Sequence, residues 1–362
     1  MRCVWTFPAR WEELLWDAAR AELPAAALEM RVLLPAIVER TRRYTDERAT
    51  LHAKLTGREA QRDLAARALF FTVADAAKVQ VPLAELARRG LLPAGPMRVL
   101  DVGAGAGAMT LGLLSFDGAP HSIIALDRDA AALAIFGRVV GALPTPAPTL
   151  QTVTGDVSRL PGGPFDLVLA GSVLNELEPA RRAALARDLL ARLAPGGSLI
   201  LIEPALRETA RALHELRDGL LAEGAASVFA PCTRRGPCPA LVDPRDWCHE
   251  DRSFQPPPRL ADLARRTGLR THGLKFAYLT LRRTAEPLVD APSGKALRVV
   301  SDALDQKGTV ERVVCGDDGR TRLRVLRRNR DDAAVLDSSQ RGDVLLVGEA
   351  GATSRIRPAS SE

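Results

Sequence analysis

The 362-residue chain is longer than one hydrophobic core usually organises, which points to two or three domains. Its 46% hydrophobic content is that of a soluble globular chain, and no apolar run nears the ~20 residues of a membrane span, so the sequence excludes a transmembrane helix. A net charge of +6, in which arginine far outnumbers lysine, suits bidentate phosphate contacts and suggests a polyanionic partner, although a GC-rich genome produces the same bias. The first sixteen residues hold no uninterrupted apolar stretch and carry Glu12 and Glu13, so neither a secretory signal nor a transit peptide is read there and a cytoplasmic location is expected. From Trp11 to about Gly90, apolar residues recur at helical spacing: Leu14, Leu15 and Ala18, then Leu28, Val32 and Leu33, then Leu64, Ala68, Leu69 and Phe71. Pro24 and Pro35 read as breaks, and Gly90 with Pro93 as the end. Residues 1–95 are therefore expected to form a helical N-terminal domain. Its charges form a solvated face or, alternatively, a cap beside a ligand cleft.

The stretch Arg98 to Thr110, RVLDVGAGAGAMT, is a β-branched apolar run that ends in Asp101 and opens through Gly103, Gly105 and Gly107 into a helical composition. Glycines let the backbone turn sharply and approach a ligand, and the free N–H groups of the following helix start point into the same space. Four more strand-like runs follow: His121–Asp127, Leu150–Asp156, Phe165–Ala170 and Ser198–Glu203. Their alternation with helical segments predicts a doubly wound α/β sheet. Asp127 falls where such a fold places a ribose-binding carboxylate. The competing reading for Asp127 and Asp156 is a helix N-cap or turn acceptor. The G-x-G-x-G spacing lacks the third glycine of the dinucleotide fingerprint and resembles motif I of the class I S-adenosylmethionine (SAM) methyltransferases. That resemblance implies a Rossmann-like core over residues 96–284, with SAM held by Asp101, Gly103, Gly105, Gly107, Asp127 and Asp156. Gly171–Glu178 is where acceptor-side residues would lie, yet it has no [DNS]-P-P-aromatic motif and no cysteine. Asn175 and Glu176 could contact an acceptor, with a helix start as the plainer reading. No catalytic residue is assigned, and whether the chain is an enzyme stays open.

After an amphipathic helix at Ala205–Ala222, the composition changes at Phe229–His249, FAPCTRRGPCPALVDPRDWCH. Proline and glycine exclude regular structure through most of it, yet it carries Cys232, Cys238 and Cys248. Without a secretion signal, clustered cysteines in such a loop read as metal ligands rather than disulfides. Cys315 is the fourth candidate, His249 is its nearer competitor, and Cys3 is left over. All-thiolate ligation suits an iron–sulfur cluster or zinc equally well. Short alternating runs from about Leu297 to Val347 predict a small β domain over 285–350, and residues 351–362 are expected to be a disordered tail. Within that domain, Arg320–Arg330 (RTRLRVLRRNR) would present a row of guanidinium groups to phosphates, extended by Arg234 and Arg235. The bland alternative is a charged edge that blocks strand pairing.

The combination of APCTRRGPCP, DWCH and KFAYL (Lys275–Leu279) behind the Gly loop resembles the methyltransferase-like family of small-ribosomal-subunit assembly factors, known from mitochondria and with bacterial relatives. The resemblance spans most of the chain and is most specific in the cysteine stretch. It implies a [4Fe-4S] cluster on Cys232, Cys238, Cys248 and Cys315, a monomer bound to rRNA and proteins of the small subunit, and a role in assembly or translation. A eukaryotic chain of this kind would work in the mitochondrial matrix. Two alternatives stay open: an active SAM-dependent rRNA methyltransferase, and a zinc-stabilised methyltransferase of a non-RNA substrate.

Overall fold

The computed structural model describes residues 4–45, 55–291, 295–348 and 356–358, so Cys3 lies outside the described residues. A short strand β1 (Trp5–Thr6) precedes helices α1 (Ala9–Glu22), α2 (Ala25–Leu28), α3 (Met30–Thr45) and α4 (Gly57–Ala66). A π-helical turn at Arg67–Phe71 leads to α5 (Thr72–Ala76) and α6 (Gln80–Arg88). Then come β2 (Arg98–Val102), α7 (Ala108–Asp117), β3 (Ser122–Asp127), α8 (Ala130–Gly141), β4 (Thr149–Thr154), β5 (Phe165–Gly171), α9 (Pro179–Ala191) and β6 (Leu193–Pro204). The second half holds α10 (Arg207–Ala222), β7 (Ser227–Ala230), β8 (Glu250–Gln255), α11 (Pro258–Thr267) and β9 (Gly273–Arg282). It ends with β10 (Lys295–Val299), β11 (Thr309–Gly316), β12 (Gly319–Leu326), α12 (Arg330–Ser338), β13 (Val344–Val347) and β14 (Ile356–Pro358).

The chain divides into two compact units, residues 4–202 with 253–274, and residues 203–252 with 275 onward. In the first, five parallel strands run in the order β6-β5-β2-β3-β4. β2 is central, with Val99 between Ile123 and Leu167 in register, and Val99, Leu100 and Val102 are fully buried. Near-continuous apolar runs suit strands covered on both faces. One expected helix is missing, because residues 155–164 (GDVSRLPGGP) link β4 to β5 through glycine and proline without a helix. The helical segment belongs to this same unit: α1 packs on α8, and α5 packs on α7. Pro35 lies inside α3 instead of breaking it. The buried Leu33, Ala36 and Ile37 on either side hold the helix together despite the lost N–H.

The second unit contains the cysteine stretch together with an antiparallel sheet in the order β12-β11-β10-β13-β14. Its core gathers Val299, Val310, Val314, Val325, Leu345 and Ile356 under Ala333 and Leu336 of α12. The tail expected to be disordered therefore supplies β14, whose Ile356 is buried and pairs with Val347, while its other residues lie outside the described ones.

Within the first unit, the fully buried Glu12 of α1 closes the start of α11. Its carboxylate accepts the backbone N–H groups of Arg259 at 2.9 Å and Leu260 at 2.5 Å. Helix starts leave such donors without internal partners, and a side-chain acceptor satisfies them. Glu12→Ala should lower unfolding free energy by about 1–3 kcal/mol, read by urea denaturation. An unchanged midpoint would show that these amides find other partners.

Candidate functional site

The carboxyl ends of β2, β3 and β5 converge on the Gly loop. Gly103, Gly105 and Gly107 all have left-handed backbones, with φ of 67°, 53° and 93°. A side chain at Gly103 would strike Val173, and one at Gly107 would strike Phe136, each at 2.4 Å. A Cβ at Gly105 would meet only Asp127 Oδ2 at 4.0 Å. Two of the glycines are thus required by packing, and the middle one borders open space. Asp127 spans that space: Oδ2 accepts the Gly105 N–H and Oδ1 the Asp129 N–H, both at 2.8 Å. Asp101 is fully buried, and its Oδ2 accepts from the Thr110 hydroxyl at 2.6 Å and the Thr110 N–H at 3.2 Å, tying β2 to the first turn of α7. Its Oδ1 has no hydrogen-bond partner among the described residues. Asp156 is exposed and accepts from Ser158 N–H at 2.9 Å, with Arg181 at 3.4 Å, which is the turn role.

Beyond β5, Asn175 and Glu176 lie in a short 3₁₀ turn, Leu174–Glu176, and Glu176 pairs with Arg128 at 2.9 Å. Sequence reasoning missed Ser172, which among the described residues is the one non-glycine with positive φ, 58°. Such a backbone costs roughly 1–3 kcal/mol and marks a constrained site. No composition rule flags a serine for it.

Cys232, Cys238, Cys248 and Cys315 are free thiols in the second unit. Burial pushes Cys238 and Cys315 up to about 12, and the charges of Cys232 and Cys248 add to this. Cys232 is raised by burial and by Cys248. Burial also raises Cys248, but the bond from His214 and the charges of His214 and Arg320 outweigh it and set it below its ordinary value. The thiols are therefore in electrostatic reach of one another. They do not stand as a ligand shell: among the described residues, no group of three or more His, Cys, Asp or Glu is placed to hold a metal ion.

Register explains the pairing of Cys315 with the loop. It sits opposite Arg298 of β10 and Arg320 of β12, and its carbonyl accepts from Thr233 at 3.2 Å. The loop is fastened mainly by α10. Arg211 donates to the carbonyls of Ala240, Asp243 and Asp246; Arg217 to those of Arg234 and Gly236; His214 Nε2 lies 3.2 Å from the Cys248 carbonyl. Asp218 accepts the Cys238 N–H at 2.8 Å. Positions 211, 214 and 218 share one helix face, so polar residues at i, i+3 and i+7 beside the apolar stripe were the available signal. His249, the competing ligand, instead stacks on Trp247 at 5.8 Å. The arginine row is also partly consumed. Arg320 pairs with Asp246, and Arg322 (2.9 Å) and Arg324 (4.0 Å) share Glu311, while Arg234 and Arg235 donate to the carbonyls of Gly316 and Ala285.

A five-stranded parallel sheet in this order, with a Gly loop after its central strand and a carboxylate after the next, defines a class I SAM-methyltransferase-type Rossmann-like fold. Residues 63–343 match the family described as mitochondrial small ribosomal subunit Rsm22. The chain belongs to that family. It is also 39% identical over 119 residues to the ribosomal protein L11 methyltransferase of Geotalea daltonii, covering 33% of this chain and 35% of that one. The enzyme of the same description from Syntrophotalea carbinolica is 37% identical over 110 residues, 30% and 33% of the two chains. The chain thus spans about a third of the length of these curated relatives. Among solved structures, the magnesium protoporphyrin IX methyltransferase of Synechocystis PCC 6803 with bound SAM aligns over 69% of this chain and 97% of that one, at 15% identity and a TM-score of 0.39. No helix among the described residues is long and apolar enough to cross a membrane.

Burial pushes the Asp101 carboxyl from its ordinary 3.8 to about 7, against the pull of its Thr110 bonds. A raised carboxyl value means that the folded chain keeps a proton which the unfolded chain releases above roughly pH 4. Stability is therefore full below that point and falls as pH rises to about 7, by up to about 4 kcal/mol. Asp101→Asn should flatten this slope in urea titrations across the same window. A slope equal to wild type would mean that Asp101 ionises as freely folded as unfolded.

Proposed function

We propose that this chain is a SAM-binding, methyltransferase-like protein that binds the small ribosomal subunit through rRNA and proteins and assists its assembly or translation. The observation that carries the reading is the family match at 63–343, which includes the Gly loop and all four clustered cysteines. The loop residues fit SAM: the space beside Gly105 is open, Asp127 borders it, and Gly103 and Gly107 are closed off by packing. When bound there, SAM supplies an activated methyl group. Asp127 would accept hydrogen bonds from the ribose hydroxyls and the loop N–H groups would hold the methionine moiety, while Asp101 ties β2 to the first turn of α7 behind the loop. No residue is assigned to deprotonate an acceptor, so the fold can serve as a scaffold. An active rRNA methyltransferase is the second reading, favoured by the strained Ser172 on the acceptor side.

Cys232, Cys238, Cys248 and Cys315 would hold a [4Fe-4S] cluster, with zinc as the competitor. The donor set fits either, since an all-thiolate centre is anionic and Arg217, Arg298 and Arg320 surround the thiols. Such a centre would supply a covalent tie between the loop and β11, so binding would contribute to folding.

Gly105→Arg should abolish SAM binding in calorimetry while leaving the thermal midpoint within about 3 °C. Undiminished affinity would remove SAM from this loop. Anaerobic purification with iron, sulfide and zinc assayed together should give iron and sulfide in matched amounts, both lost in Cys238→Ser along with stability of the second unit. Stoichiometric zinc would replace the cluster, and neither metal would sink the site. Co-sedimentation with small ribosomal subunits should weaken steeply as salt rises; no co-sedimentation at low salt would overturn the ribosomal reading.

A further inference from the structure

The N-terminal helices carry a chain of charges into the Gly-loop edge that the reading above leaves unused. Arg40 of α3 donates to Asp63 of α4 at 3.2 Å and to the Tyr44 hydroxyl at 3.0 Å. Asp63 also accepts from Arg67 at 3.0 Å, and Arg67 donates onward to Asp129. Arg40 and Asp63 each keep only 12% of their side chains exposed, and Arg67 keeps 24%. Arg67 is the first residue of the π-helical turn, a local widening that re-aims side chains and recurs at functional sites.

Asp129 is the point where this chain meets the loop. Its Oδ1 caps α8 by accepting the N–H groups of Ala131 at 3.0 Å and Ala132 at 3.1 Å, and its other oxygen takes the Arg67 guanidinium. The Asp129 backbone N–H holds Asp127 Oδ1, and Asp127 Oδ2 holds Gly105. A continuous series of bonds thus runs from Arg67 through Asp129 and Asp127 to the Gly loop. Burial disfavours both charged partners, yet the attraction between them outweighs it, raising Arg67 and lowering Asp129 from their ordinary values. Two carboxylates two residues apart would otherwise repel, and a forked guanidinium gripping both Asp129 and Asp63 fixes the direction of the β3–α8 turn.

We propose that Arg67 is a positioning residue that sets the Asp127 carboxylate for the two hydroxyls of a nucleoside ribose, so the N-terminal helices govern sugar recognition at the Gly loop. The ligand half of this rests on the SAM reading above. The bond series from Arg67 to Gly105 stands without it. Arg67 touches no ligand itself and acts through Asp129.

The test uses the full-length chain and its Arg67→Met and Arg67→Lys variants. In ligand-free protein, amide exchange at Gly105 and Asp129 should quicken about tenfold in Arg67→Met, the worth of one charge-assisted bond, while amides of β2 and β5 keep their rates. In calorimetry, wild type should prefer S-adenosylhomocysteine over its 2′-deoxy analogue about tenfold or more. Arg67→Met should lose most of that preference, and Arg67→Lys, a point charge without the fork, should recover only part of it. A merely structural role would weaken both ligands equally and quicken exchange throughout the unit; either pattern overturns the proposal, as does an unchanged Gly105 rate. Should wild type bind neither ligand, the SAM reading fails with the sugar half of the proposal, and the exchange rates still decide whether Arg67 holds the loop. If Arg67→Met does not fold, Asp129→Asn keeps the helix cap and removes the ionic link, and the same Gly105 acceleration is expected.

Discussion

The first unit depends on how the carboxyl edge of a parallel sheet is satisfied. Strands that end together leave backbone donors and acceptors at one rim, and Asp127 takes two of the donors, Gly105 and Asp129, on its two oxygens. The carbonyl of Leu126 accepts from Gly103 and Ala104, and the carbonyl of Asp127 from Gly155. The rim is thereby closed upon itself without a ligand. Each Asp127 oxygen keeps a second lone pair, so a nucleoside hydroxyl could bond there without displacing the Gly105 or Asp129 amide.

In the second unit the corresponding constraint is burial of thiols among cations. A thiol removed from water stays neutral, as at Cys238 and Cys315, unless a positive partner offsets the cost. Cys315 pairs in register with Arg298 and Arg320, and the charges of Arg320 and Arg234 draw its value down without offsetting burial. The loop bearing the other three cysteines has little regular structure, so α10 satisfies its carbonyls with Arg211 and Arg217. Guanidinium groups from one helix thus stand in for the regular hydrogen bonding that the loop lacks.

Much of this was legible from residue order. The central strand, the Gly loop and Asp127 follow from local patterns, a β-branched run, positive-φ glycines and an acid at a strand end, so sequence reasoning located them to within a residue or two. Pro35 was misread because its local cost is outweighed by burial of Leu33 and Ile37, which depends on α4 and α11 and not on the neighbours in sequence. What assigns α10 to the cysteine loop is a set of side-chain to carbonyl bonds across 17 to 35 residues; the polar face at 211, 214 and 218 hints at a partner without saying which. Ser172 and Arg67 give no such hint, since strain and long-range pairing leave no composition behind.

The arginine excess also has uses within the protein. A charge of +6 invites a polyanion, yet Arg211, Arg217, Arg234 and Arg298 serve carbonyls, carboxylates and a tyrosine hydroxyl within the protein, and Arg320 faces Asp246. A guanidinium can satisfy several acceptors in one plane, which lysine cannot, so a chain rich in proline-bearing loops has an internal use for arginine whatever it binds. One basic stretch lies along β12 and the residues after it, where Arg322 and Arg324 share one carboxylate and Arg328 and Arg330 are exposed. Phosphate contact there would have to compete with Glu311.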